Sequence, residues 1–203
     1  MPPVDTLLMR LVLATRNSHK VAELGVLIAG HDLVGLPAHL GSPEETGETF
    51  AENALIKAWA AADALGSPVI ADDSGVESAA LGGAPGVRSA RFAGPDATDA
   101  ENLAGLLRDA PPGDALAYVC VIAFVDPARG EAWTVEGRCT GTLATHPRGA
   151  NGFGYDPAFL PDDAVDRERP GRTLAELAPE EKAAISHRAR AAAALLERLE
   201  KRR

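Results

Sequence analysis

The stretch Val69-Ile70-Ala71-Asp72-Asp73-Ser74-Gly75 places two carboxylates and a hydroxyl directly after three apolar residues. Apolar residues behind Pro68 read as the end of a buried strand, and ligands in α/β sheets collect just beyond the carboxyl ends of strands. Adjacent side chains on a strand point to opposite faces. The expectation is therefore that Asp73 faces a cleft while Asp72 braces the loop. Asp, Ser and Gly are equally ordinary turn formers, so the run alone leaves both readings open. Two more acids, Glu44 and Glu45, stand in the loop before Phe50. Carboxylates on a loop near a strand end suit a hard cation such as Mg²⁺, and a solvated acidic loop is the plain alternative.

Basic and donor residues make a second set. Thr15-Arg16-Asn17-Ser18-His19-Lys20 joins an apolar run to a helical pattern. That layout turns backbone N–H groups and the positive end of a helix toward a phosphate. Lys20 in a first helical turn opposes the helix dipole, so a bound anion explains it better than local stability does. The Walker glycines and Lys-Ser/Thr pair are missing, however, and a solvated Lys in a capped turn is the plainer reading. Asn53 and Lys57 lie one turn apart on one helix face, which spacing alone assigns to solvent. Asn151-Gly152-Phe153-Gly154-Tyr155-Asp156-Pro157 brackets an aromatic with two glycines. Planar side chains there suit stacking on a nucleobase, or else they plug the core. Lys182, His187 and Arg188 form a basic cluster at a helix junction, and Arg88 and Arg91 are placed to meet phosphate or pair across an interface. Carboxylates that hold Mg²⁺ among phosphate-binding cations describe a site for a nucleoside polyphosphate. The five histidines lack zinc spacing. There is no Gly-x-Ser-x-Gly elbow and no cysteine nucleophile motif.

The elements that must position these residues follow from periodicity and capping. Leu7 to Ala14 reads as a first strand, with a helix from Val21 through Ile28 closing near Gly30. Thr49 with Glu52 forms a capping box, opening a helix that carries Ala54, Leu55, Ala58, Trp59 and Ala62 and stops at Gly66 before Pro68. Gly75 to Leu81 is expected as a short helix and Gly82 to Gly86 as a loop. Thr98 with Glu101 opens another helix, through Leu103, Leu106 and Leu107, that Pro111 and Pro112 end. Ala115 to Val125 is nearly continuous in apolar character, as a central strand should be. After a turn at Asp126 to Gly130, Glu131 to Leu143 returns as the second arm of a hairpin. Ala158 to Leu160 is a short strand, Asp162 to Arg172 a surface loop, and Thr173 with Glu176 the start of the last helical region.

With 203 residues, 46% of them hydrophobic, the chain can bury a sizeable core. A net charge of −9 argues against nucleic-acid or anionic-membrane partners. Met1-Pro2-Pro3-Val4-Asp5 carries no secretory signal, and no apolar run could span a bilayer. Cys120 and Cys139 read as buried, reduced thiols of a cytoplasmic protein.

Eight short motifs, in one order along nearly the whole chain, are similar to those of the inosine/xanthosine triphosphate pyrophosphatase family, also called Ham1-like. They are Thr-x-Asn-x-x-Lys at 15–20, Glu-Glu-Thr-Gly at 44–47, Glu-Asn-Ala-Leu-Ile-Lys-Ala at 52–58 and Ala-Asp-Asp-Ser-Gly at 71–75. Leu-Gly-Gly-Ala-Pro-Gly at 81–86, Ser-Ala-Arg-Phe at 89–92, Gly-Phe-Gly-Tyr-Asp-Pro at 152–157 and Glu-Lys-Ala-Ala-Ile-Ser-His-Arg at 181–188 complete the set. Arg16 departs from the pattern, since many members carry Gly there. The resemblance implies an elongated α/β domain spanning 1–203, with a central mixed sheet, two lobes and a cleft between them, assembled as a homodimer. It also implies Mg²⁺-dependent cleavage of dITP, ITP or XTP to nucleoside monophosphate and pyrophosphate. Carried over, Asp73 becomes the proton acceptor, with Lys57 and Asp72 beside it, and Glu44, Asp73 and Glu45 become the metal-linked acids. Thr15, Arg16, Asn17, Ser18, His19, Lys20 and Ser74 would meet the phosphates. Phe153, Gly154, Tyr155, Asp156, Lys182, His187 and Arg188 would hold base and sugar. A nucleotide sensor without turnover and a Maf-like pyrophosphatase for modified pyrimidines are the competing readings.

Overall fold

Two capping boxes set the longer internal helices. The Thr49 side chain accepts the Glu52 N–H at 3.2 Å while Glu52 accepts the Thr49 N–H at 3.0 Å. Thr98 and Glu101 repeat the exchange. The structure, a computed structural model, describes residues 9–28, 30–162 and 171–202, without the side chain of His19. Most of the predicted surface loop at 162–172 therefore lies outside the described residues, as do the first two residues of the predicted first strand.

The order of elements is β1 (Arg10–Leu13), α1 (Ser18–Leu27), β2 (Asp32–Gly35), α2 (Phe50–Leu65), β3 (Val69–Ser78), α3 (Asp99–Asp109), β4 (Ala115–Asp126), β5 (Glu131–Leu143), β6 (Phe159–Pro161), α4 (Pro179–Ile185) and α5 (His187–Lys201). One sheet runs β2-β1-β3-β4-β5-β6. β1 pairs in parallel with β2 and β3, and β5 pairs antiparallel with β6. The sheet is therefore mixed, as expected. By contacts the chain divides into two compact units. One comprises residues 1–73, 121–135 and 192–203, the other 74–120 and 136–191. Buried residues of the first include Leu11, Leu13, Leu24, Ala58, Ile70, Phe124 and Leu195. The second is built on Val76, Leu106, Tyr118, Leu143, Tyr155, Phe159 and Leu174.

Several expectations need correction. Asp72 and Asp73 lie in the middle of β3, not beyond its end, and no helix forms over Gly75 to Leu81. Gly75 permits this. A Cβ there would sit 2.3 Å from Ser89 Oγ and 2.6 Å from the Gly86 carbonyl oxygen, so the strand passes a segment that no other residue could approach so closely. The Val76 N–H then donates to Ser89 Oγ at 2.9 Å. Residues Gly86–Arg91, which follow the expected Gly82–Gly86 loop and share its last residue, wind into a 3-10 helix. α1 begins three residues before Val21, because Asn17 Oδ1 accepts the Lys20 N–H at 3.3 Å and caps it. The short edge strand β2 carries no pattern that distinguishes it from a loop. The Thr173–Glu176 box caps only a 3-10 turn before α4.

Candidate active site

In the first unit the Asp pair divides as strand alternation requires. Asp72 Oδ2 forms an ion pair with Lys20 Nζ at 2.8 Å, and Asp73 Oδ1 accepts from Lys57 Nζ at 3.0 Å. Lys57 also donates to Glu45 Oε1 at 2.8 Å. It is largely buried, not on a solvent face as its spacing suggested. Asn53, one turn earlier, is completely buried. Its Oδ1 accepts the Gly47 N–H at 2.8 Å and its Nδ2 donates to the Gly47 carbonyl at 3.4 Å. This pins the acidic loop against α2 and brings Glu45 to Lys57. Glu44, in the same loop, is exposed.

Burial pushes the Asp73 carboxyl above the ordinary aspartate value, with Lys57 and Lys20 holding it part of the way back. Burial works against the charge on Lys57, but Asp73, Glu45 and Asp72 outweigh it and raise its pKa. The result is an ion pair whose acid takes up a proton more readily than a solvated aspartate does. Asp73 Oδ2 is buried and has no hydrogen-bond partner among the described residues. A buried, acceptor-only oxygen with no donor is suited to receive a proton or a cation.

Among the described residues no three His, Cys or carboxylate side chains converge as a ready-made metal cage. Mg²⁺ does not require one, since it is usually held by one or two carboxylates together with substrate phosphates. The oxygen donors of Asp73 and Glu45, one of them without a donor of its own, fit that mode.

The phosphate-loop residues are held locally. Thr15 Oγ1 accepts the Asn17 N–H at 3.3 Å. The Arg16 guanidinium donates to the carbonyls of Ala38 and Leu40, so this departure from the family pattern ties the loop to the segment after β2. Ser18 is exposed at the start of α1. Lys20 is ion-paired with Asp72, whose side chain is completely buried. His19 lies in α1, and its side chain is outside the described part.

In the second unit the two aromatics of the Gly-rich motif differ in their surroundings. Tyr155 is core: its hydroxyl donates to the Ser89 carbonyl at 2.7 Å, and burial raises its pKa. Phe153 is half-buried, and Lys182 Nζ and Arg188 Cζ lie 4.9 and 5.4 Å from its ring centre. Asp156 accepts the Phe153 N–H at 2.9 Å and Lys182 Nζ at 2.7 Å. Gly154 donates its N–H to Asp99 Oδ2 at 2.9 Å. His187 and Arg188 open α5 and are buried; Arg188 donates to Ser74 Oγ at 3.0 Å. A Cβ on Gly137 would lie 2.3 Å from both the His187 carbonyl oxygen and the Ala191 N. β5 therefore sets where that helix begins. Arg88 and Arg91 are exposed in the 3-10 helix after the Gly82–Gly86 loop.

Two residues that bind this second set together, Tyr118 and Asp99, carry no motif signal. Tyr118 sits inside an apolar strand run, where only its polar tip hints at a partner. A hollow of about 420 Å³ beside Trp133 and the end of α5 contains none of the predicted residues. Its cations are already engaged: Arg198 stacks on Trp133, Lys201 pairs with Glu197, and Arg202 binds Asp126 and Glu131.

A mixed α/β sheet with buried carboxylate–ammonium pairs in one unit and a cation-faced aromatic in the other has the features of a nucleotide-handling α/β enzyme. The chain belongs to the Ham1 family, whose model matches residues 11–198. It is similar to a dITP/XTP pyrophosphatase of Geobacillus kaustophilus, 49% identical over 199 residues that cover 94% of each chain. Among solved structures, a HAM1 protein from Coxiella burnetii superposes with a TM-score of 0.84 at 40% identity, over 96% of this chain and 100% of that one. A nucleoside-triphosphatase / dITP/XTP pyrophosphatase from Mycobacterium abscessus gives a TM-score of 0.72 at 47% identity, over 93% and 99% of the two chains.

Proposed function

We infer that this chain hydrolyses dITP, ITP and XTP between the α- and β-phosphates, releasing nucleoside monophosphate and pyrophosphate and so clearing deaminated purines from the nucleotide pool. The observation that carries the reading is Asp73: a buried carboxylate of raised pKa, held on one oxygen by Lys57 and with no donor on the other. Family membership and near-full-length identity to named dITP/XTP pyrophosphatases support it.

In this reading Asp73 takes a proton from the attacking water as the new O–Pα bond forms. The Pα–O bond to pyrophosphate breaks, and its electron pair leaves with the pyrophosphate. Lys57 holds Asp73 in place, and Lys20, itself anchored by Asp72, meets the charge growing on the leaving group. Thr15, Arg16, Asn17, Ser18, His19 and Ser74 complete the phosphate contacts. Asp73, with Glu45 and Glu44 from the loop, would hold Mg²⁺, which when bound supplies neutralising charge to the phosphates.

The base falls to the second unit. Phe153 offers a ring for stacking, Lys182 and Arg188 flank it, and Asp156, Gly154 and Tyr155 fix its backbone. Hypoxanthine and xanthine present an oxygen at position 6 where adenine presents an amino group. A fixed donor, from His187 or a backbone N–H, faces no acceptor when adenine binds. Such a mismatch can impose selectivity on the order of 10⁴.

The reading also includes a homodimer, supported by the family resemblance, and action in the cytoplasm, supported by Cys120 and Cys139, which are buried and not disulfide-bonded. No helix among the described residues is long and apolar enough to cross a membrane. A substrate panel of dITP, ATP and dUTP assayed for pyrophosphate tests the proposal. Release from dITP far above the other two is expected. Preference for dUTP would favour a pyrimidine enzyme, and release from none would favour a sensor.

A further inference from the structure

Tyr118, which lies outside the base-binding set, touches both halves of it. Its ring stacks on His187 with centroids 4.7 Å apart and planes 8° from parallel. Its hydroxyl oxygen accepts the Tyr155 N–H at 3.1 Å, and burial, together with the nearby Asp156 carboxylate, pushes the hydroxyl's pKa up. Asp156 in turn holds the Phe153 N–H and Lys182. Phe159 closes the other contact of the ring, 4.8 Å away. One residue of β4 thus spans the two segments, Phe153 to Asp156 and Lys182 to Arg188, that the functional reading assigns to the purine.

The geometry points to Tyr118 as a positioning residue for base selection, its ring setting the plane of His187 and its hydroxyl fixing the Phe153 shelf through the Tyr155 N–H. Its hydrogen-bond and ring partners among the described residues, Tyr155, His187 and Phe159, include none assigned to the phosphates. Its loss is therefore felt in affinity for the base and in discrimination, while the hydrolytic step proceeds. The inference rests on the functional reading above and refines it. A buried aromatic that served packing alone would need neither the hydroxyl nor the near-parallel stack, since its contacts with Phe159 would survive replacement by phenylalanine.

Tyr118→Phe separates the two roles, because it keeps the ring and removes the hydroxyl. Pyrophosphate release from dITP and dATP with Mg²⁺ is measured for both proteins, together with melting curves and calorimetric binding of inosine monophosphate. The variant is expected to raise KM for dITP about five- to tenfold, as the loss of one net hydrogen bond implies. The dITP-to-dATP preference falls by a similar factor, kcat stays within about twofold of wild type, and inosine monophosphate binds correspondingly more weakly. Tyr118→Leu, which also removes the stack, lowers the preference further; should it fail to fold, the phenylalanine variant decides alone. Wild-type KM and preference in Tyr118→Phe overturn the inference. So does a uniform loss of kcat on all substrates that tracks a lowered melting temperature. If wild type releases no pyrophosphate, the functional reading fails first. Inosine monophosphate binding then still judges Tyr118: equal affinity in both proteins, or none in either, rejects it.

Discussion

At the scale of single residues, Asp73 combines a functional gain with a structural cost. Burial raises its pKa in the folded chain. Stability from the protonated form is therefore present below the ordinary aspartate value and lost as the pH rises through the raised one. Asp73→Asn is accordingly expected to melt at a higher temperature than wild type near neutral pH in metal-free buffer. That advantage disappears in acid. The same variant loses turnover by about 10² to 10⁴, the range a general base supplies. Thermal melts across pH and pyrophosphate assays check the two halves, and a variant that is both fully active and unchanged in stability refutes the role. Lys57→Ala leaves Asp73 without its partner and removes the link to Glu45. It should lower kcat strongly while leaving the dITP-to-dATP preference near wild type, and a changed preference with normal kcat would count against it.

At the scale of elements, the sequence was most informative where a local rule had no competitor. Thr49 with Glu52 and Thr98 with Glu101 placed two helix starts to the residue, because reciprocal capping is satisfied within four residues. The hairpin of β4 and β5 was equally legible from its long apolar run and Pro127 turn. The path of β3 was not. Asp72, Asp73 and Ser74 have turn propensity, and only pairing in the sheet with the close pass of Ser89 at Gly75 overrides it. The burial of Lys57 was hidden for a related reason. Spacing shows which residues share a face but not what covers that face, here the Glu45 loop held by Asn53. Gly137 was silent for the same cause, since its constraint is the backbone of α5. Gly137→Ala should displace the start of α5, lower the melting temperature, and weaken dITP preference through His187 and Arg188. Thr49→Ala, by contrast, should cost about 1 kcal/mol of stability with selectivity intact. Denaturant melts with paired dITP and dATP kinetics distinguish the two.

At the scale of the whole molecule, the proposed roles fall to two units that interleave along the chain. The first unit carries the ammonium–carboxylate pairs around Asp72 and Asp73, and the second carries Phe153, Lys182, His187 and Arg188 around Tyr118. The proposed homodimer predicts a particle of twice the monomer mass by light scattering, and a monomer at all concentrations would remove that part of the reading. The central claim is the bond that breaks. Hydrolysis of dITP with Mg²⁺ in ¹⁸O-water, followed by mass analysis of the products, tests it directly. The account predicts deoxyinosine monophosphate that carries the label and pyrophosphate that carries none. Deoxyinosine diphosphate with labelled orthophosphate would contradict it.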